Sequence, residues 1–530
     1  MYLNPLDIGI FVAFIGFVAL FSMFKSRREE TGEDFFLAGR GLTWPLIGFS
    51  LIAANISTEQ FVGMNGAAAG EVGLAIASYD WIAAISLVLV AIFFLPFLLR
   101  GGIYTIPEYL EYRYNNAARA IMAVITMFVY VLVTISMVVY SGGLTLQTVF
   151  GDIGNAKHLL YGILAIASIA TLYAAWGGLK AVAWADLFQC SALLIGGLCV
   201  TIACFIAVGK TSGGLQSFIE ESSDKLHIAL PRTHTSLPFT ALFLGIWIPN
   251  LYYWGFNQYI VQRSIAAKSL KQGQLGVLLA AFMQIILPLI IVLPGIMAMY
   301  LFKEQLQDKP DAAFPFLVRE LIPAGLKGFV FAAIGGAVIS SLASMLNSAS
   351  TIFTIDIYKR YFNTNASQQR LIWTGRTTTL IFVVIGSIIG YFLQYFPSGI
   401  FNFIQEFQGF LSPGVLGAFV FGFILRKAPP MAGVAALLVN FATYTILLVF
   451  FSGYDLLAPF TIYPIAFLNR MAISFAVVAL TMLLITLIKP LPQPRNMPVN
   501  PNYDMKPAPS VIWLGSAIIL AVIALYICFW

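Results

Sequence analysis

Apolar runs of about 20 residues, the length that crosses a hydrocarbon core, recur along the whole 530-residue chain. They predict about fourteen membrane-spanning helices, at 8–24, 45–70, 76–99, 118–150, 158–176, 181–207, 238–262, 272–302, 326–360, 371–395, 399–425, 430–451, 461–488 and 509–529. Backbone polar groups in lipid must bond internally, so these runs are helices. Two of them break the pattern. The second carries Asn55-Ile56-Ser57-Thr58-Glu59-Gln60 in its middle, and the seventh reads Trp247-Ile-Pro-Asn-Leu-Tyr-Tyr-Trp-Gly-Phe-Asn-Gln up to Arg263. A helix unwound at mid-membrane is tolerated only where its freed backbone groups line a cavity or hold a ligand. The two breaks lie five spans apart, an odd number, so the second runs through the bilayer in the opposite direction. Paired interrupted helices of this kind point to two inverted repeats with a binding site between them. Spans 2–6 and 7–11 form that core, with spans 1 and 12–14 outside it.

Composition supports the membrane reading. Hydrophobic residues make up 60% of the chain and charged residues 10%, against roughly 25% charged in soluble proteins. Basic residues gather in alternate connections: Lys25, Arg27, Arg28 and Arg40; Arg100, Arg113 and Arg119; Lys180; Arg263, Lys268 and Lys271; Lys359, Arg360, Arg370 and Arg376; Arg426 and Lys427; Lys489, Arg495 and Lys506. The positive-inside rule places these in the cytoplasm and both termini outside. The net charge of +6 is therefore a topology signal, and its scatter argues against nucleic acid as a partner. The first apolar run reads as a retained span. Cys190, Cys199, Cys204 and Cys528 fall inside spans without metal-like spacing, and the three histidines form no cluster. A membrane-embedded enzyme lacks machinery here, and no obligatory protein partner is indicated. Residues 489–510 are Pro-rich and read as a linker to a peripheral last helix.

The chemistry at the breaks suggests two ligands. Freed carbonyls and hydroxyls are hard oxygen donors suited to an alkali cation, whereas amide and carboxylate side chains suit a polyhydroxylated solute. The stretch "GGAVISSLASMLNSAS" in span nine is rich in hydroxyls and small residues. That pattern fits close helix packing as well as an ion site. Asp186 and Asp80 lie inside spans, where an acid needs a reason; for Asp186 a helix-capping role is the plainer alternative.

At these residues the chain resembles the sodium:solute symporter family, and within it the sodium/galactose and sodium/glucose cotransporters. The likeness is carried by "LIAANISTEQFVGMNG", "GLAIASYDW" (73–81), "GGLKAVAWAD" (177–186), "NLYYWGFNQYIVQR" (250–263), "SSLASMLNSASTIFTIDIYK" (340–359) and "FIQEFQGFLSPG" (403–414). The resemblance implies an all-α polytopic protein with a LeuT-like inverted repeat of five plus five helices. On that plan residues 1–40 hold the first helix and a cytoplasmic loop, 41–207 the first repeat and 208–428 the second. Residues 429–488 hold two peripheral helices, and 489–530 the linker and last helix. The resemblance also implies a sodium ion held by the carbonyls of Ala53, Ile56 and Ala337 with the hydroxyls of Ser340 and Ser341. Asp186 then stands on the ion's inward route, or in a second sodium site with Ser344, although Ala343 stands where that second site usually has a serine.

By the same resemblance Gln60, Asp80, Asn250, Tyr253, Gln284 and Gln405 surround the solute. Met64, Tyr79 and Phe401 match an outer hydrophobic gate and Trp254 neighbours an inner one; as apolar residues they also fit ordinary core packing. The galactose cotransporters have a glutamate at Asp80, a lysine at Gln284 and a serine at Ala83, so the solute need not be galactose. Glu59 and Glu406 read as structural. The expectation is sodium-driven symport of a small neutral sugar across the cell membrane by alternating access. Inositol or another polyol is the alternative solute. A sugar-gated sensor or channel is the alternative mode of action.

Overall fold

The structure, a computed structural model of the chain, describes residues 4–530 except 27–30, 58, 151–155, 233, 235, 308–309, 396–404, 453–461, 496 and 502. Among the described residues it is all helical, with a single isolated bridge between Leu42 and Ala267. Among the described residues eleven helices are long and apolar enough to cross a membrane, and Trp44–Asn55 and Lys157–Leu172 are shorter apolar helices. The expected number of about fourteen spans therefore depends on counting short and broken helices.

The helices that position the site are α1 (Pro5–Lys25), α2 (Trp44–Asn55), α3 (Ser78–Leu89), α4 (Ala156–Gly209), α5 (Trp247–Phe256) and α6 (Gln258–Ile265). They continue with α7 (Leu270–Leu301), α8 (Leu326–Ile352), α9 (Ser412–Ile424), α10 (Pro430–Phe451), α11 (Phe467–Ile488) and α12 (Val511–Cys528). Helix α4 covers two expected spans and bends between them at Gly178, whose φ of +50° and ψ of −158° only glycine adopts freely.

Helix α8 is the axis of the molecule. Every residue from Val330 to Ile352 is buried, and α8 packs more extensively against α4 than any other two elements do. Its most apolar window is 94% buried, against 22% for α1, α11 and α12. The small residues of "GGAVISSLASMLNSAS" allow this close approach: Gly336, for example, accepts the side chain of Gln189 from α4 against its backbone. The peripheral helices instead present leucine, isoleucine and phenylalanine outward, as lipid-facing surfaces do.

Both expected breaks are present, and they share one conformation. Helix α2 ends where Ile56 turns extended, at φ −81° and ψ 118°. The chain resumes as a wide helical turn over Glu59–Met64 and then Asn65–Ala69. Between α5 and α6 the extended residue is Asn257, at φ −80° and ψ 120°. Matching breaks on two helices are what an inverted repeat requires. Away from the breaks, the chain entering α2 meets the chain leaving α6: Leu42 N–H donates to Ala266 O at 3.1 Å and Lys268 N–H donates to Leu42 O at 2.9 Å.

Helices α10 and α11 pair with each other and pack on α9. Helix α12, expected at the periphery, packs against α3 and α7 and sets Tyr526 edge-on to Trp81, with ring centroids 5.8 Å apart.

Candidate functional site

The last intrahelical bond of α2 runs from Ile56 N–H to Ile52 O, 2.8 Å. Beyond it the carbonyls of Ala53, Ala54 and Ile56 converge on one hydroxyl of α8. Ser341 Oγ lies 3.2 Å from Ala53 O, 3.3 Å from Ala54 O and 3.3 Å from Ile56 O. One hydroxyl proton cannot serve three carbonyls, so this corner holds more acceptors than donors. That is the donor set of a small hard cation: neutral oxygens, with no soft ligand. Ala337 lies one turn earlier on α8, 2% exposed. Ser340, expected beside Ser341 as a ligand, points its hydroxyl to Asp186 Oδ1 instead.

Asp186 and Arg263 form a buried ion pair, both side chains fully enclosed, with N–O 3.4 Å. Arg263 also donates through Nε to Ser50 Oγ at 2.6 Å, and to Ser344 Oγ and Tyr259 O. Ser50 in turn donates to Asp186, and Ser344 donates to Ser340 O at 2.8 Å. This cluster joins α2, α4, α6 and α8 one step from the oxygen-lined corner. The sequence pattern placed Arg263 in a connection. A basic residue closing an apolar run looks like a loop residue, but α6 carries it inside.

A polar cavity beside the breaks contains about 500 Å³ of space free of protein atoms, open solvent included. Gln60, Met64, Tyr79, Asp80, Asn250, Tyr253, Trp254, Gln284 and Gln405 line it, together with Asn55, Ala83, Pro249 and Gln408. The structure thus brings together around one space the residues named for the solute, along with three of the four gate residues. Trp254 lines the cavity itself. Phe401, the fourth gate residue, lies outside the described residues. Asn55 and Gln408 were missed; Gln408 could have been found, because it stands one turn from Gln405.

Local bonding orients these side chains. Gln60 Oε1 accepts Ser57 N–H at 2.8 Å, capping the break and leaving the amide nitrogen as donor. Asn250 Nδ2 donates to Ile246 O at 2.9 Å, so its oxygen is the acceptor left for the cavity. The Tyr253 ring is held edge-on by Trp254 and Tyr259, at 5.1 and 5.7 Å between centroids, and Tyr259 Oη donates to Tyr253 Oη at 2.9 Å. Asp80 Oδ2 and both ends of the Gln284 amide are buried without any hydrogen-bond partner. Buried polar groups are rarely left so, and three such atoms on residues lining one cavity suit a hydrogen-bonding ligand. Among the described lining residues there is one acid and no base.

Comparison with known proteins agrees with this architecture. The profile of the Sodium:solute symporter family matches residues 35–439. The chain is 40% identical over 451 residues to a sodium/glucose cotransporter of Vibrio parahaemolyticus, covering 80% of this chain and 82% of that one. It is 33% identical over 462 residues to the sodium/myo-inositol cotransporter 2 of Oryctolagus cuniculus, covering 80% of this chain and 67% of that one. A sodium-coupled sialic acid symporter in a substrate-bound outward-open state superposes with a TM-score of 0.80 at 19% identity, over 93% of this chain and 99% of that one. Its fold is the LeuT-like fold. The chain therefore belongs to the sodium:solute symporter family and is a multi-pass, sodium-coupled solute symporter.

Proposed function

We propose that this symporter carries a small neutral sugar, a hexose such as glucose or galactose, into the cell with sodium by alternating access. The observation that carries the reading is the set of unpartnered buried atoms, Asp80 Oδ2 and the Gln284 amide, in a cavity that also holds Gln60, Asn250 and Gln405. A sugar offers hydroxyls that both donate and accept, with an apolar ring face for Tyr253. An anionic solute would meet Asp80 with no base in the lining. A zwitterionic amino acid would want a cation or a half-helix end for its carboxylate.

Sodium sits, on this reading, among the carbonyls of Ala53, Ile56 and Ala337 and the Ser341 hydroxyl, with Ser340 turning from Asp186 to join them. It ties the broken α2 to α8 and favours the outward-open form. The solute then completes the cavity, and Met64, Tyr79 and Phe401 close over it. Loss of sodium toward the cytoplasm loosens the α2–α8 joint and releases the solute. Arg263 already supplies the positive charge between Asp186 and Ser344, which supports one sodium per solute. The two repeats take residues 41–207 and 208–428, and both termini lie outside the cytoplasm.

A polyol such as inositol is the second reading, supported by the myo-inositol cotransporter among the relatives and by the Asp80, Ala83 and Gln284 departures. The test is uptake of labelled D-glucose, D-galactose and myo-inositol into proteoliposomes with and without an inward sodium gradient. The expected result is sodium-driven accumulation of a hexose, with an apparent KM that Gln405→Ala raises about tenfold or more. Accumulation of inositol alone would replace the substrate. Binding without accumulation would mean a sensor or channel.

A further inference from the structure

Gln405 and Gln408 reach the cavity from a helical turn whose described part, residues 405–408, gives way at Gly409–Leu411 before α9 begins. Polar side chains of α10 and α11, the two helices beyond the five-plus-five core, anchor this part. Glu406, the residue next to Gln405, is 4% exposed. Its carboxylate accepts Tyr444 Oη–H on Oε1 at 2.6 Å and Arg470 NH2 on Oε2 at 2.7 Å. The Arg470 guanidinium is itself 2% exposed, and its Nε and NH1 have no partner. Asn440 Nδ2 donates to Phe410 O at 2.7 Å and to Gly409 O at 3.3 Å, and Ser474 Oγ holds Asn440 Oδ1 at 2.7 Å. The Tyr444 ring lies flat on Gly409, where a Cβ would come within 2.0 Å of it.

A buried ion pair is an expensive way to pack two peripheral helices, since truncating either partner strands a charge. Small residues would pack them more cheaply. An ion pair does something packing cannot: it fixes rotation. Glu406 bonded from two sides sets the direction in which its neighbour Gln405 points. The helices α10 and α11 then have a part in solute recognition without touching the solute.

We propose that Glu406, Tyr444 and Arg470 are positioning residues that fix Gln405 and Gln408 in the solute cavity, making α10 and α11 part of the specificity apparatus. The proposal rests on the reading of the cavity as the solute site. The test is a double-mutant cycle in proteoliposomes, using the hexose that the wild type accumulates. Apparent KM, Vmax and sodium half-saturation at saturating solute are measured for Tyr444→Phe, Arg470→Lys, Gln405→Ala and the combinations with Gln405→Ala.

Tyr444→Phe keeps the ring on Gly409 and removes one bond to Glu406. It should raise KM about 3- to 10-fold, the effect of losing one buried hydrogen bond, with Vmax and sodium half-saturation within about twofold of wild type. In the Gln405→Ala background the same change should add less than about twofold, because its route of action is already gone. Arg470→Lys keeps the charge and should fall between wild type and Tyr444→Phe. If the KM effects of Tyr444→Phe and Gln405→Ala multiply, or if Tyr444→Phe lowers only Vmax and thermal stability, the cluster is a brace and the proposal falls. If Gln405→Ala itself leaves KM unchanged, the reading of the cavity falls first and this inference with it.

Discussion

At the scale of single residues, the site is organised by what is left unpaired. Asp80 Oδ2 and the Gln284 amide have no partner in the protein, so on the proposed reading their hydrogen bonds are made when solute arrives. Leaving a buried polar group unsatisfied costs about 1–3 kcal/mol. Asp80→Asn should therefore weaken solute binding about 10- to 100-fold, as read by equilibrium binding of the accumulated hexose, while sodium binding without solute stays unchanged. A sodium affinity that fell equally would place Asp80 in the ion's shell. Arg263 and Asp186 show the opposite economy, for every contact of the pair is internal. Removing one partner of such a pair costs about 3–5 kcal/mol, whereas replacing both with apolar residues is often near neutral. Arg263→Met should lower the unfolding temperature of the purified protein strongly. Adding Asp186→Leu should recover much of that loss, although transport would remain impaired.

At the scale of elements, the two breaks are the working parts and close helix contact holds them. Ile56 and Asn257 share one extended conformation. Gly295 of α7 lies so near the resumed half of the first broken helix that a Cβ there would come within 2.3 Å of Asn65 O. Backbone cannot yield as a flexible side chain can, so Gly295→Ala should cost about 1–3 kcal/mol and push α7 off the Asn65–Ala69 turn. The check is thermal unfolding together with solute KM, and a variant indistinguishable from wild type in both would contradict this packing. The breaks were legible because a polar run inside an apolar span has few other physical readings. Apart from Asp80, an acid inside a span, the cavity-lining side chains were legible only through family likeness, since an amide or tyrosine in a helix looks the same facing lipid, core or cavity. Arg263 was misread because charge at the end of an apolar run normally marks water. The Glu406–Arg470 pair was invisible because its halves stand 64 residues apart in the chain, and no local pattern joins them.

At the scale of the whole molecule, coupling requires that sodium and solute each bind one conformation better than the other. The oxygen-lined corner at Ser341 and the solute cavity share one element, the break in α2, through Ile56 on one side and Gln60 on the other. Ordering that break by either ligand prepares it for the other, and linkage makes the effect reciprocal. The most direct test measures binding of the accumulated hexose to purified protein by calorimetry at several sodium concentrations, and of sodium at several hexose concentrations. The account predicts that saturating sodium tightens hexose binding at least about tenfold, or about 1.4 kcal/mol, and that saturating hexose tightens sodium binding by the same factor. Ser341→Ala should abolish both effects while leaving sodium-free hexose binding intact. Hexose affinity indifferent to sodium, or full coupling in Ser341→Ala, would contradict the joint at the α2 break.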